Sequence, residues 1–207
     1  MSNPSIDYLN NRLSLRTPQL EALKVLDDIS DFVLDDNINN DEILRKVKMK
    51  YPSVRDFDRN FPSLCFALAT GVGKTRLMGA FIAYLYIVKG IKNFMVIAPN
   101  ITIYNKLRSD FSNESSDKYV FKGLKEFVQE NVNIVDGENY KEQGKSQIWN
   151  AEITINIFNI DKINKDVQSI KDLSEYLGQS YYDFLIEQKD LVILMDESHH
   201  YRADRGM

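Results

Sequence analysis

The chain has 207 residues, enough for one large domain with a substantial core. Its 43% hydrophobic and 27% charged residues are ordinary for a globular protein, while a net charge of -4 and a single cysteine exclude bulk electrostatic capture of nucleic acid and any internal disulfide framework. No apolar run approaches the roughly 20 residues of a membrane helix, and the N-terminus lacks the apolar core of a secretory signal. A cytoplasmic protein with no membrane partner is expected. A local groove that grips phosphates with amides and hydroxyls remains compatible with the charge.

In chain order, Thr17-Pro18 opens the first clear element, with Thr suited to an N-cap and Pro to the first helical turn. Leu20, Leu23, Leu26, Ile29 and Val33 follow at helical spacing. A polar break, DDNINND, precedes a short helix carrying Ile43, Leu44 and Val47, which Pro52 stops. SVRDFDRNFP reads as irregular chain. Beyond Ser63, apolar runs of strand length alternate with helical segments, the pattern of parallel βαβ units and an α/β fold.

Strands are expected at 64–68, 94–98, 132–135, 153–158 and 191–195. Between the first two, RLMGAFIAYLYIVKG predicts a helix that is apolar nearly all round. Met78, Phe81, Leu85 and Val88 share a stripe, and Gly90 sits at the helix end. A further helix follows Pro99-Asn100. Val167, Ile170, Leu173 and Leu177 predict a helix ending at Gly178, and SYYD a capping box that opens another towards Lys189. SNESSDK and DGENYKEQGKSQ read as solvated loops. Cys65, inside an apolar run, is expected to be a buried, inert thiol.

The stretch LATGVGKTR, residues 68–76, follows an expected strand and opens a helix, the context of a phosphate-binding loop. Glycines let backbone amides point inward, and the new helix adds its positive end. Thr70, Gly71, Val72, Gly73, Lys74, Thr75 and Arg76 are therefore candidate ATP-binding positions. Lys74 can reach the β- and γ-phosphates, and the Thr75 hydroxyl can ligate Mg2+. One position departs from the strict motif: Leu68 stands where its first glycine belongs.

LVILMDESHH supplies a second cluster. Its five apolar residues read as a central strand delivering Asp196 to the carboxyl edge, where ligands of open α/β sheets sit. Asp196 can share the magnesium with Thr75. Glu197, pointing elsewhere, can orient the water that attacks the γ-phosphate. Alone, two acids ending a strand would be a solvent boundary; downstream of a phosphate loop and in this order, they read as catalytic. His199-His200 lack the further ligands a zinc shell requires, so zinc is rejected.

Together ATGVGKT and DESH resemble motifs I and II of superfamily 2 helicases, the DEAD/DEAH-box group. LRTPQLEAL, FALATGVGKTRLMGAFIAYLY, FMVIAPNITIYNKLRSDF, EYLGQSYYDFL and LVILMDESHHYRA are similar to the motor region of type III restriction enzyme Res subunits. The resemblance covers most of the chain from Leu15 onward. It implies a RecA-like P-loop NTPase three-layer sandwich with a mainly parallel central sheet, preceded by an N-terminal helical segment. It also implies ATP-driven movement on double-stranded DNA with Mg2+ as cofactor.

Matched residue by residue, Gln19 falls on the adenine-reading glutamine, with Arg16 one turn before it. Asn100 falls on motif Ia, where a helix start meets a nucleic-acid phosphate, and Thr102 and Asn159 are further DNA-contact candidates. His199 falls on the position that couples ATP state to the rest of the motor. The bland alternatives are an exposed helix residue for Gln19 and a simple N-cap for Asn100.

By this resemblance the 207 residues form one N-terminal lobe, with residues 1–60 a helical lead-in and 61–207 a P-loop core that stops after motif II. A second RecA-like lobe bearing an arginine finger, and a modification methyltransferase subunit, are the implied partners. Weak ATP binding and negligible hydrolysis are expected of the chain alone. A DNA-repair motor, or a nucleotide- or DNA-binding module without turnover, are the alternative readings. A metabolic P-loop kinase is disfavoured by DESH, Gln19 and APN.

Overall fold

A computed structural model describes residues 3–128, 130–143, 151–160, 173–174 and 179–197. Three helices come first: α1 (Pro4–Leu13), α2 (Thr17–Val33) and α3 (Asn40–Lys50). Sequence periodicity missed α1, whose start is capped by the Asn3 side chain accepting from the Ser5 amide at 3.0 Å. It buries Ile6, Leu9 and Leu13. In α2 the N-cap is Arg16 rather than Thr17; Pro18 lies in the first turn as expected. Pro has no amide to leave unbonded there, which is why the turn tolerates it.

The sheet follows from α4 (Lys74–Lys89), β1 (Asn93–Ala98), α5 (Ile101–Ser112), β2 (Val132–Asp136) and β3 (Ile153–Asn159). Beyond them come β4 (Leu173–Ser174), β5 (Gln179–Ser180), α6 (Tyr181–Ile186) and β6 (Leu191–Met195). Four strands pair in the order β2-β3-β1-β6, all parallel, while β4 and β5 make a separate antiparallel pair. This is the α/β, RecA-like P-loop arrangement that the motifs imply.

Each face of the sheet has its own apolar layer. Phe94, Val96 and Ile155 join α4, α5, α1 and α2 in the main core, whereas Phe158 meets Tyr181, Phe184 and Leu185 of α6 on the opposite face. β3 is buried at every position, which suits a strand covered on both sides. Its buried Asn156 is fully engaged, donating to the Phe94 carbonyl at 2.9 Å and accepting from the Tyr181 hydroxyl. Arg108 ties α5 to the end of β2 by ion pairs to Asp136 at 2.6 Å and Glu138 at 2.9 Å.

Several expectations need correction. Residues 64–68 form no ladder. Their side chains still alternate as in a strand: Phe66 and Leu68 pack on the main core, Phe66 edge-on to Phe81 at 4.9 Å between ring centroids. Cys65 falls on the other side of this alternation and is exposed, not buried. Apolar content did not reveal which of its two sides would be covered. For the same reason β6 is an edge strand among the described residues, not a central one; its partner is β1, and Ile193 and Met195 are exposed.

Leu173–Ser174 is extended and pairs with Gln179–Ser180, so no helix runs through to Gly178; the rest of that stripe lies outside the described residues. Strand pairing there overrides a helical period read from four positions. Ser180 does cap α6 as expected, accepting from the Asp183 amide at 3.0 Å, but the helix ends at Ile186, short of Lys189. The stretch read as a solvated loop after Asp136 buries Tyr140 and Gln143, because an aromatic ring there packs against Phe158 and Tyr181.

Candidate nucleotide-binding site

The carboxyl ends of β1 and β6, the start of α4 and the start of α5 meet at one edge of the sheet. The Asp196 amide donates to the Ile97 carbonyl at 3.1 Å, so β6 delivers Asp196 level with the end of β1. Glu197 follows with φ of +51°, the left-handed region that non-glycine residues seldom enter. This turn brings its carboxylate onto Lys74, at the start of α4. Lys74 Nζ lies 2.5 Å from Glu197 Oε1, across 123 positions of sequence.

Gly71 and Gly73 take φ of +80° and +93°, conformations that cost a glycine nothing and an L side chain much. Gly73 is the N-cap of α4 and offers no side chain to cap it. The amides of the first turn at Lys74, Thr75 and Arg76 thus have no side-chain acceptor at the cap, and the helix presents its positive end to the loop. A Cβ at Gly71 would meet nothing within 4 Å, so the loop is open on that side. These features, with one lysine, one hydroxyl and two carboxylates, fit a nucleotide phosphate tail and a hard divalent cation that prefers oxygen ligands.

Electrostatics follow from the same contacts. The hydrogen bond to Glu197 raises the Lys74 pKa, with the charges of Glu197 and Asp196 acting in the same direction. Burial raises that of Asp196, and the neighbouring Glu197 charge adds to it; Lys74 and Lys106 act oppositely. A cation beside Asp196 would relieve this pressure, since opposite charge favours the ionised form.

The loop is braced from α2. Gln19 is 2% exposed. Its carbonyl accepts from the Arg16 amide at 2.8 Å and its amide donates to the Gly73 carbonyl at 2.8 Å. Arg16 donates to the Gly71 carbonyl at 2.8 Å. Gln19 and Arg16 thus touch the phosphate loop itself.

Arg76 points elsewhere, donating to the Leu13 carbonyl at the end of α1 at 3.0 Å. Thr70 is exposed and Val72 half-buried in the loop. Asn100 caps α5, its side chain accepting from the Ile103 amide at 3.0 Å, and Thr102 is exposed beside it. Asn159 is buried at the end of β3, opposite Ala98, and so does not share their exposure. His199 and His200 lie outside the described residues, among which no group of His, Cys, Asp or Glu suits a metal ion bound by protein alone.

Sequence reasoning missed Lys106. From the second turn of α5 its Nζ donates to Thr75 Oγ1 at 3.1 Å and lies 3.8 Å from Asp110 Oδ2. The only advance signal was its place six residues after Asn100, on a helix leaving the same sheet edge.

Comparison with known proteins agrees with this geometry. The family model for type III restriction enzyme, res subunit, matches residues 12–207. The chain is also similar to a protein of Haemophilus influenzae named "Probable type III restriction-modification enzyme HindVIP Res subunit". The two are 27% identical over 156 residues, which cover 72% of this chain and 27% of the relative. The chain thus spans about a quarter of that relative's length. No solved structure matches. With a phosphate loop and an acidic pair facing each other across the sheet edge, and a family match along nearly its whole length, the chain belongs to the type III restriction enzyme Res subunit family.

Proposed function

We propose that the chain is an ATP-binding lobe of an ATP-dependent DNA helicase or translocase, the motor of a type III restriction-like system. The observation that carries this reading is the 2.5 Å contact between Lys74 and Glu197, which joins the phosphate loop to the acidic pair. In this reading Lys74 exchanges Glu197 for the β- and γ-phosphates, and Thr75 and Asp196 hold Mg2+. Bound magnesium would neutralise phosphate charge as the γ-phosphoryl group departs. Glu197, released from Lys74, orients the attacking water and accepts its proton.

Gln19 and Arg16 fix the loop that receives the phosphates; reading adenine would require the Gln19 amide to be shared with the base. Asn100 and Thr102 stand exposed at the start of α5, where the amides of a helix N-terminus meet a nucleic-acid phosphate. Double-stranded DNA, a second RecA-like lobe and a modification methyltransferase subunit are the proposed partners, in a cytoplasmic setting.

Binding, rather than turnover, gives the cleaner test, because an arginine finger from another lobe contributes about 10³ to 10⁵ in rate. Calorimetric titration of magnesium-ATP should show saturable binding by the wild type. Lys74→Ala should weaken it by about 10- to 100-fold, the loss of one or two charge-assisted hydrogen bonds. Equal affinity in the two proteins would remove Lys74 from the site and the proposal with it.

A further inference from the structure

Thr75 is the hydroxyl that a magnesium ion would share with Asp196, yet in the structure its oxygen already accepts a hydrogen bond from Lys106 at 3.1 Å. The backbone that carries Lys106 is fixed. Leu107 and Phe111 are buried in the main core, and Arg108 is held by Asp136 and Glu138. The side chain is 59% exposed, and the carboxylate of Asp110, one turn on, offers a second partner 3.8 Å away. Lys106 is therefore an ammonium on a firm base with a solvent-exposed head, set against the oxygen of the candidate cation position.

A magnesium ion binds oxygen at about 2.0–2.1 Å and demands near-octahedral geometry. An ammonium already hydrogen-bonded to the same oxygen would then stand only a few ångströms from a double positive charge. Even with strong solvent screening such a repulsion exceeds thermal energy, so one cation must leave. The lysine can leave for solvent or for Asp110, and its departure frees the Thr75 oxygen for the metal.

Building on the ATP- and magnesium-binding reading above, we propose that Lys106 is the resident counter-ion of the magnesium position, and that its displacement from Thr75 sets the metal concentration at which the site accepts magnesium-nucleotide. Lys106 acts through Thr75 and is a positioning residue, not a catalytic one. Its presence raises the metal threshold.

The test is binding of a fluorescent ADP analogue as magnesium is varied, in the wild type, Lys106→Met and Lys106→Arg. Lys106→Met should lower the half-saturating magnesium concentration by about three- to tenfold, a unit charge discounted for its exposure. At saturating magnesium its nucleotide affinity should match the wild type, and Lys106→Arg, which keeps the charge, should stay near the wild-type midpoint. An unmoved or raised midpoint in Lys106→Met would overturn the proposal. So would a parallel loss of affinity at saturating metal, which would make Lys106 a phosphate ligand instead. No nucleotide binding by the wild type at any metal concentration would sink the ATP-binding reading as well, which separates the two failures.

Discussion

Glu197 holds two relations that pull in different directions. It pairs with Lys74 at 2.5 Å, and its backbone sits at φ +51°, a conformation that costs a residue with a Cβ about 1–2 kcal/mol. Such strain persists only where surrounding contacts hold it, and here the ion pair and the Asp196 amide bond to Ile97 do so. The carboxylate also competes with any phosphate for Lys74. Glu197→Gln should therefore tighten magnesium-ATP binding by roughly three- to tenfold, since a neutral amide holds the ammonium less strongly. Under the proposed motor function the same change should abolish turnover in the full-length protein, because an amide cannot accept the proton of the attacking water. Calorimetry beside a phosphate-release assay would check both. Weaker binding in the variant would mean that Glu197 positions Lys74 rather than competing for it.

At the scale of elements, α4 is the hinge between lead-in and sheet, and its close approach to the chain at Val120 depends on Gly79. A glycine inside a helix is normally a weakness, so Gly→Ala usually gains about 1 kcal/mol. Here an added Cβ would lie 2.7 Å from Val120 Cβ and 3.2 Å from its carbonyl oxygen. Overpacking of that kind costs about 1–3 kcal/mol, which offsets or exceeds the propensity gain. Gly79→Ala should therefore lower stability in urea denaturation by up to about 2 kcal/mol. Truncation at Val120 should not rescue it, because Ala at 120 keeps the offending Cβ. A stabilised Gly79→Ala would show that the segment around Val120 yields.

For the molecule as a whole, the helical lead-in is not an appendage. Ile6, Leu9 and Leu13 of α1 and Leu23 of α2 are buried in the same core as Phe94, Val96 and Ile155 of the sheet. Arg76 reaches back from the first turn of α4 to the Leu13 carbonyl, and Tyr84 bonds Asp27 of α2 at 2.6 Å. Deleting residues 3–14 would strip three fully buried aliphatic side chains, each contributing about 1.5–3 kcal/mol. The sum, roughly 5–9 kcal/mol, rivals the 5–15 kcal/mol of a typical domain. The truncated chain should show no cooperative thermal transition. A sharp transition near that of the full chain would mean that the sheet and α4 fold without the lead-in.

How much of this was legible depended on the kind of information each residue carries. Short-range signals are complete within a few positions: the glycine turn that opens α4, the Ser180 cap, the stripe of α4 and its end at Gly90 all read correctly from sequence. Asp196 and Glu197 were legible because the acid pair directly ends an apolar strand. Lys106 was not, because nothing local distinguishes a lysine on an exposed helix face from one that reaches Thr75 31 positions earlier. Nor was the second use of Gln19, whose partner Gly73 lies 54 positions away.

The same division explains the errors. The apolar runs at 64–68 and 191–195 declared segments with strand character, but apolar content does not say which neighbour a strand pairs with or which of its faces is covered. Sequence alone thus determined the α/β class and the family resemblance, and it singled out Lys74, Thr75, Asp196 and Glu197 as candidates, because hydrophobic period and motif chemistry are written in neighbouring residues. Only the tertiary structure decided that β6 is an edge among the described residues, that Cys65 faces outward, that Arg76 turns to α1, and that Lys106 reaches Thr75. Each of these depends on contacts between segments distant along the chain, which local sequence pattern does not encode.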